Sequence, residues 1–228
     1  MANNMKEGIR LYRTDKYSEA LVSFLSVPTG NADSNLELAY FIGLCYARLV
    51  RYDDALVYLE QVVTADTDLA RVYQCRMVLS VIYAMTGRTR LAEFELRKLI
   101  DAGYESPQVF CSLAYLAFEH THVEEAIEWY EKAIALDGKN QTALNGLGFV
   151  LADEGRDLTR ALTMCKRAID IEGENPAYLD SLGWVYYKLG LDVEAKNYTR
   201  RAREKAPDNR VIGAHLTEIM RNGVEMRK

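Results

Sequence analysis

The chain has 228 residues, with 28 basic and 33 acidic side chains and a formal net charge of −5. This mild acidity disfavours nonspecific binding to a nucleic-acid backbone, which needs clustered Lys and Arg. Apolar residues make up 49 % of the chain, and no run approaches the roughly 18 apolar residues of a membrane helix. We therefore expect a folded core, no membrane span and no nucleic-acid partner.

The cysteines and histidines do not have the spacing of a metal site. Cys45, Cys75, Cys111 and Cys165 form no CxxC pair, whereas structural zinc sites use paired ligands. The first ten residues also lack the basic-then-apolar pattern of a signal sequence. These features predict free thiols inside helices, no metal or cofactor, and a cytoplasmic location, or a periplasmic or envelope-associated one if a leader has been removed.

Two series of small residues recur along the chain with spacings of 34 to 37 residues. The first is Gly8, Gly43, Ser80, Ala114, Gly148 and Gly183. The second is Ala20, Ala55, Ala92, Ala126, Ala161 and Ala195. Two independent series with one period predict a repeat architecture.

Each period contains two amphipathic segments of helical periodicity, such as 179–190 and 124–134. Glycines end several of them, as helix C-termini favour. Pro107 and Pro176 follow the capping residues Ser106 and Asn175, which is a helix-start signature. The pattern therefore predicts that every period contains a first helix, a tight turn and a second helix.

These features resemble the tetratricopeptide repeat family. The best-fitting unit has Leu179, Leu182, Gly183, Tyr186, Ala195, Ala202 and Pro207 where that family has apolar, small and proline residues. The segments 143–155 and 174–184 are similar to paired repeats of bacterial members. The resemblance implies an all-α, right-handed solenoid of stacked antiparallel helix pairs, in one domain over 1–228. We predict six repeats and a closing helix, at 1–34, 36–69, 73–106, 107–140, 141–175, 176–209 and 210–222.

The resemblance also implies that the first helices line a concave groove. Carried over by position, the predicted partner-binding residues are Tyr12, Arg13, Tyr40, Phe41, Leu44, Arg48, Met77, Val81, Met85, Tyr115, Phe118, Asn145, Phe149, Trp184, Tyr187 and Lys188. Aromatic residues, Met and Arg are enriched at protein interfaces. We expect the groove to bind an amphipathic helix or an extended apolar segment, with Phe41, Phe149 and Trp184 as anchors. The alternative is that these residues pack against one another or under the closing helix.

Other functions of the family leave different signatures. Members that clamp acidic chaperone tails use Lys, Asn and Arg at fixed concave positions, and here those positions hold residues such as Phe41 and Tyr115. No phosphate-binding loop or nucleophile elbow occurs, so we predict a scaffold or adaptor and no enzyme. A self-assembling module, or an accessory or chaperone subunit of an enzyme, transporter or secretion assembly, remains the alternative.

Several positions depart from the repeat pattern. Asn4 and Glu7 replace large apolar residues, as an exposed terminal repeat allows. Extra residues at 69–72 are expected to alter the packing of the second and third repeats. One extra residue near Asp157 lengthens the turn of the fifth repeat. Thr199 occupies an apolar position, so we expect the last second helix to be held less tightly.

Overall fold

The structure is a computed structural model that describes residues 2–225, with the side chains of 4–221. This part of the chain forms thirteen α-helices and no strand. The ends of the predicted 1–228 domain, Met1 and 226–228, lie outside the described residues. The helices are α1 Ala2–Arg13, α2 Tyr17–Leu25, α3 Ala32–Arg48, α4 Tyr52–Ala65, α5 Leu69–Met85, α6 Thr89–Asp101, α7 Pro107–Glu119, α8 Val123–Leu136, α9 Gln141–Asp153, α10 Leu158–Ile171, α11 Pro176–Lys188, α12 Asp192–Lys205 and α13 Arg210–Glu225.

Side-chain caps start the first helices of the pairs. Ser106 accepts a hydrogen bond from the Val109 N–H, and Pro107 is the first residue of α7. Asn175 caps α11 in the same way, with Pro176 at its first position. A cap satisfies one of the backbone N–H groups that the first turn leaves unpaired. The predicted helix starts at both prolines are confirmed.

Small residues let the two helices of a pair approach closely. A Cβ atom added to Gly148 would lie 2.9 Å from the Ala161 carbonyl oxygen and 3.2 Å from the Cys165 backbone nitrogen. Both atoms belong to the backbone of α10, which cannot move aside. The periodic small residues therefore mark the contact between the first and second helix.

Three predicted departures from the repeat pattern have local explanations. Residues 69–72 form the first turn of α5, which is 17 residues long, as is α3. The extra residue of the fifth repeat lies in the turn before α10, where Asp157 has a φ of 36°. The Asp157 side chain caps α10 by accepting a hydrogen bond from the Arg160 backbone N–H. Thr199 is fully buried, and its hydroxyl donates to the Ala195 carbonyl 2.9 Å away.

The chain divides into two compact units, Met1–Glu105 and Ser106–Lys228. Unit 1 holds α1–α6 and unit 2 holds α7–α13, and within each unit a second helix also packs on the first helix of the next pair. The core of unit 2 ends in a cluster of Leu179, Ala202 and Ile212, which joins α13 to α11 and α12. Among the described residues, no helix has the length and apolar character needed to cross a membrane.

Candidate functional site

The predicted residues of unit 1 lie on its first helices and largely contact one another. The Phe41 ring stacks on Phe24, with centroids 5.2 Å apart, and meets Tyr12 and Tyr40 edge-on at 6.1 and 4.9 Å. Leu44 is buried, with 3 % of its surface exposed. Phe41 is half-buried, so much of its ring belongs to the packing of α1, α2 and α3.

The exposed part of this surface is on α5. Val81 and Met85 are 51 % and 66 % exposed, and Met77 is half-buried. The Tyr40 hydroxyl of α3 donates to Gln74 Oε1 at 2.6 Å, which ties α3 to α5. Arg13 and Arg48 are exposed, and the Arg48 guanidinium lies 5.8 Å from the Tyr17 ring centroid.

Trp184 was predicted to be an anchor for a partner in the groove. This prediction is wrong for an open groove, because Trp184 does not lie on an open surface. It is 4 % exposed, because His215 of α13 stacks on its ring with centroids 4.3 Å apart. Its Nε1–H donates to Asp153 Oδ1 at 3.0 Å. The closing helix therefore covers this side chain, as the alternative interpretation of the sequence allowed.

The two other predicted residues of α11 also join elements of unit 2. The Tyr187 hydroxyl is 3.2 Å from Glu218 Oε1 of α13, to which it donates. The Lys188 ammonium donates to the Asp153 carbonyl oxygen at 2.9 Å and lies 5.0 Å from the Trp184 ring centroid. These contacts hold α9, α11 and α13 together rather than leaving both side chains free for a partner.

Unit 2 contains a cleft of about 440 Å³ between the first helices α7, α9 and α11 and the closing helix α13. We call it the α7–α13 cleft. Four of the predicted residues line it, namely Tyr115, Phe118, Asn145 and Phe149. The Phe118 and Phe149 rings meet edge-on with centroids 5.9 Å apart. The buried Tyr130 ring lies beneath them, against the backbone of Gly146.

A buried acid–imidazole pair joins two walls of the cleft. The Asp180 side chain on α11 is only 7 % exposed, and its Oδ2 lies 2.7 Å from His215 Nδ1 of α13. Because a carboxylate only accepts hydrogen bonds, the imidazole N–H is the donor. Sequence analysis missed His215 as a wall residue, although its place on the buried side of an amphipathic closing helix was an available signal.

Two buried side-chain oxygens among the described residues have no hydrogen-bond partner, and both belong to the cleft. They are Asn145 Oδ1 and Asp180 Oδ1. An unsatisfied buried polar group costs about 1–3 kcal/mol. The cleft can therefore gain free energy from a ligand that brings hydrogen-bond donors.

Burial raises the pKa of two titratable groups on α7, the Cys111 thiol and the Tyr115 hydroxyl. Burial raises the pKa of the Cys111 thiol of α7 to about 12, so the thiolate needed for attack is not formed at neutral pH. Partial burial, and then the nearby Glu119 carboxylate, raises the pKa of Tyr115. In the part of the chain that the structure describes, no three His, Cys, Asp or Glu side chains could together hold a metal ion.

Two other surface features have local partners. His122 Nδ1 lies 3.8 Å from Glu125 Oε2 in the turn before α8. In the basic run 200–205 of α12, Arg201 contacts Glu174 at 3.2 Å, and Lys205 contacts the same carboxylate. These contacts are those of a solvated protein surface.

The structure has a helical-repeat fold whose first helices α7, α9 and α11 line the cleft. Family models match at two places, described as a tetratricopeptide repeat at residues 36–69 and a TPR repeat at residues 122–155. Both segments match the tetratricopeptide repeat family, which supports the resemblance that the sequence predicted. The number of six repeats stays a prediction.

Solved structures show the same fold. A crystal structure of MamA is 24 % identical with a TM-score of 0.61, over 75 % of this chain and 91 % of that one. A tetratricopeptide repeat protein from Parabacteroides merdae is 17 % identical with a TM-score of 0.68, over 96 % and 84 %. YrrB, described as having an unusual peptide-binding site, is 18 % identical with a TM-score of 0.58, over 79 % and 91 %. The comparison with curated proteins gave no match.

Proposed function

We propose that this protein is a scaffold or adaptor that binds a segment of a partner protein in the α7–α13 cleft. Tetratricopeptide repeat proteins are protein-interaction scaffolds, and proteins of this fold are typically non-catalytic. The observation that carries the proposal is an aromatic cleft whose lining residues Asn145 and Asp180 each have a buried acceptor oxygen without a partner.

The occupant follows from the lining of the cleft. The Phe118 and Phe149 rings offer apolar surface to an inserted side chain, and a partner segment excludes water from it. The unpaired oxygens require a donor at the end of the same side chain, or on the backbone beside it. An apolar segment with one donor group therefore fits better than a uniformly apolar one.

The exposed surface of α5 supports a second, weaker contact in unit 1. Val81 and Met85 are exposed on one helix face, and Met side chains adapt to differently shaped partners. This surface has no unpaired buried acceptor, so we assign it a supporting role. The accessory-subunit interpretation uses the same surfaces and differs only in the identity of the partner.

The test is a selection from a displayed random-peptide library with the wild-type protein, followed by affinity measurements on a selected peptide. We expect Tyr115→Ala to weaken binding by about tenfold, because Tyr is enriched among the interface residues whose truncation costs more than about 1 kcal/mol. Phe94→Ala is the matched control, since Phe94 lies on α6 in unit 1 and is 51 % exposed against 53 % for Tyr115.

Two results would contradict the proposal. One is the failure to select any peptide that binds the folded wild-type protein. The other is equal affinity of the selected peptide for the wild type and for Tyr115→Ala. Circular dichroism of both variants separates lost binding from lost folding.

A further inference from the structure

We infer that the α7–α13 cleft binds an arginine side chain, whose guanidinium pairs with the buried Asp180 and Asn145 oxygens between aromatic walls. This inference rests on the proposed function and names the chemistry of the partner segment. It follows from the charge, the acceptor geometry and the aromatic lining of the cleft.

The charge of the cleft is negative and only partly compensated. Asp180 contributes a buried carboxylate and Glu119 an exposed one, whereas the only basic side chain in the lining is that of His215. Its Nδ1–H serves Asp180 Oδ2 and leaves Oδ1 unpaired. A buried carboxylate is stabilised by a cation with directed donors. No Lys or Arg side chain among the described residues lines the cleft.

The acceptors favour a guanidinium over an ammonium. Asn145 and Asp180 lie on the neighbouring first helices α9 and α11, and each presents an oxygen without a donor. A guanidinium carries five N–H donors in a planar fork, so it can serve two acceptors at once. It is also more weakly hydrated than an ammonium, which lowers the free energy needed to enter a partly buried site.

The walls match the faces of the same group. Tyr115, Phe118 and Phe149 surround the cleft, and arginine is the cation found most often against aromatic faces. The Phe149 ring lies 6.0 Å from the His215 ring that holds Asp180, so the aromatic and acidic walls adjoin. The negative charge of this cleft is opposite in sign to the charge of clefts that bind acidic tails.

The probe is N-acetyl-arginine amide, titrated into the full chain and followed by backbone amide NMR. We expect saturable shifts at the cleft residues Asn145, Gly146 and His215. The citrulline analogue has the same shape and neutral donors, so it should bind at least about tenfold more weakly because the charged pair is lost. Asp180→Asn should lower the affinity for the arginine probe by a similar factor, because it removes the carboxylate charge. Its amide oxygen can still accept from His215, so we expect the fold to be kept.

The matched control is Asp153→Asn. Asp153 is a carboxylate on α9 outside the cleft lining, and its oxygen accepts from Trp184 Nε1. We expect Asp153→Asn to change the affinity for the arginine probe by less than about twofold. If Asp180→Asn perturbs folding, Asn145→Leu removes the second acceptor without touching His215, and it should weaken the arginine probe by about fivefold.

Equal affinity for the citrulline analogue, an unaffected Asp180→Asn variant, or the absence of saturable shifts at the cleft overturns the inference. If selected peptides bind the cleft but the arginine probe does not, the guanidinium site fails and the scaffold function stands. If the arginine probe binds and no peptide does, the cleft is a guanidinium site and the scaffold proposal fails.

Discussion

Single residues in the tight turns adopt a backbone conformation that suits glycine. Gly87 follows α5 with a φ of 75°, and Gly190 follows α11 with a φ of 73°. Val50, in the equivalent turn after α3, has a φ of 60°. For an L-residue this left-handed region costs roughly 1–2 kcal/mol, and a β-branched residue is among the least suited to it. Val50 is 66 % exposed, so burial of its side chain offsets little of this free-energy cost.

Val50→Gly should therefore raise the free energy of unfolding by about 0.5–1 kcal/mol. Relief of the backbone strain exceeds the added entropy of glycine in the unfolded chain, which is about 0.4–1 kcal/mol. The reverse change, Gly87→Val, should lower stability by about 1 kcal/mol. Urea unfolding monitored by circular dichroism measures both. A less stable Val50→Gly protein would show that the Val50 side chain contributes more than its exposure suggests.

Among the elements, α13 both closes the core of unit 2 and forms a wall of the cleft. Ile212 and Ile219 are buried at 2 % and 0 % exposure. His215 lies between them in sequence, stacks on Trp184 and donates to Asp180. The same side chain therefore holds the helix in place and leaves Asp180 with one open acceptor.

His215→Ala should destabilise unit 2 by about 3 kcal/mol, because it removes a stacked ring and leaves the buried Asp180 carboxylate without its partner. Hydrogen exchange should show lost protection along α13, and tryptophan fluorescence should shift to the red as Trp184 meets water. Thr217→Ala is the control on the same helix, since the Thr217 hydroxyl donates only to the Gly213 carbonyl within α13. Unchanged protection in His215→Ala would mean that the apolar contacts alone hold the helix.

At the scale of the whole molecule, the exposed side chains of α1 among residues 4–13 are polar, whereas α13 exposes Val211 and Met220 beside polar side chains. Asn4 of α1 is exposed and donates to the Ser26 carbonyl at 3.4 Å, and the next turn carries the Glu7–Arg10 ion pair. On α13, Arg210, Thr217 and Arg221 line an exposed surface. Stable self-association usually buries a large apolar surface at its core, and the described residues of α1 and α13 expose only two large apolar side chains, Val211 and Met220.

We therefore expect a monomer. Light scattering after size exclusion should give a mass near 25.9 kDa across micromolar concentrations. A mass that rises with concentration would favour the self-assembling alternative over the scaffold. Substitution of Arg210 or Arg221 would then test whether α13 forms the contact.

Local patterns predicted the helices better than they predicted the surfaces. Ser106–Pro107 marked a helix start because caps and prolines act within one turn. The burial of Trp184 was not predictable in this way, because it depends on the docking of a helix beyond the last repeat. Asp180 and His215 meet although 35 residues separate them, and no periodicity marks that pair. The residues of α7 and α9 that line the cleft followed from repeat position, whereas the wall formed by α13 required the tertiary structure.

The four buried cysteines make the protein suited to site-directed labelling. Each lies inside a helix, and desolvation raises the pKa of each thiol to about 12. Such thiols react slowly with alkylating reagents while the protein is folded. A single cysteine introduced on an exposed first-helix position would be the one thiol that a dye or spin label modifies. The natural chain thus accepts a spectroscopic reporter without prior removal of its own cysteines.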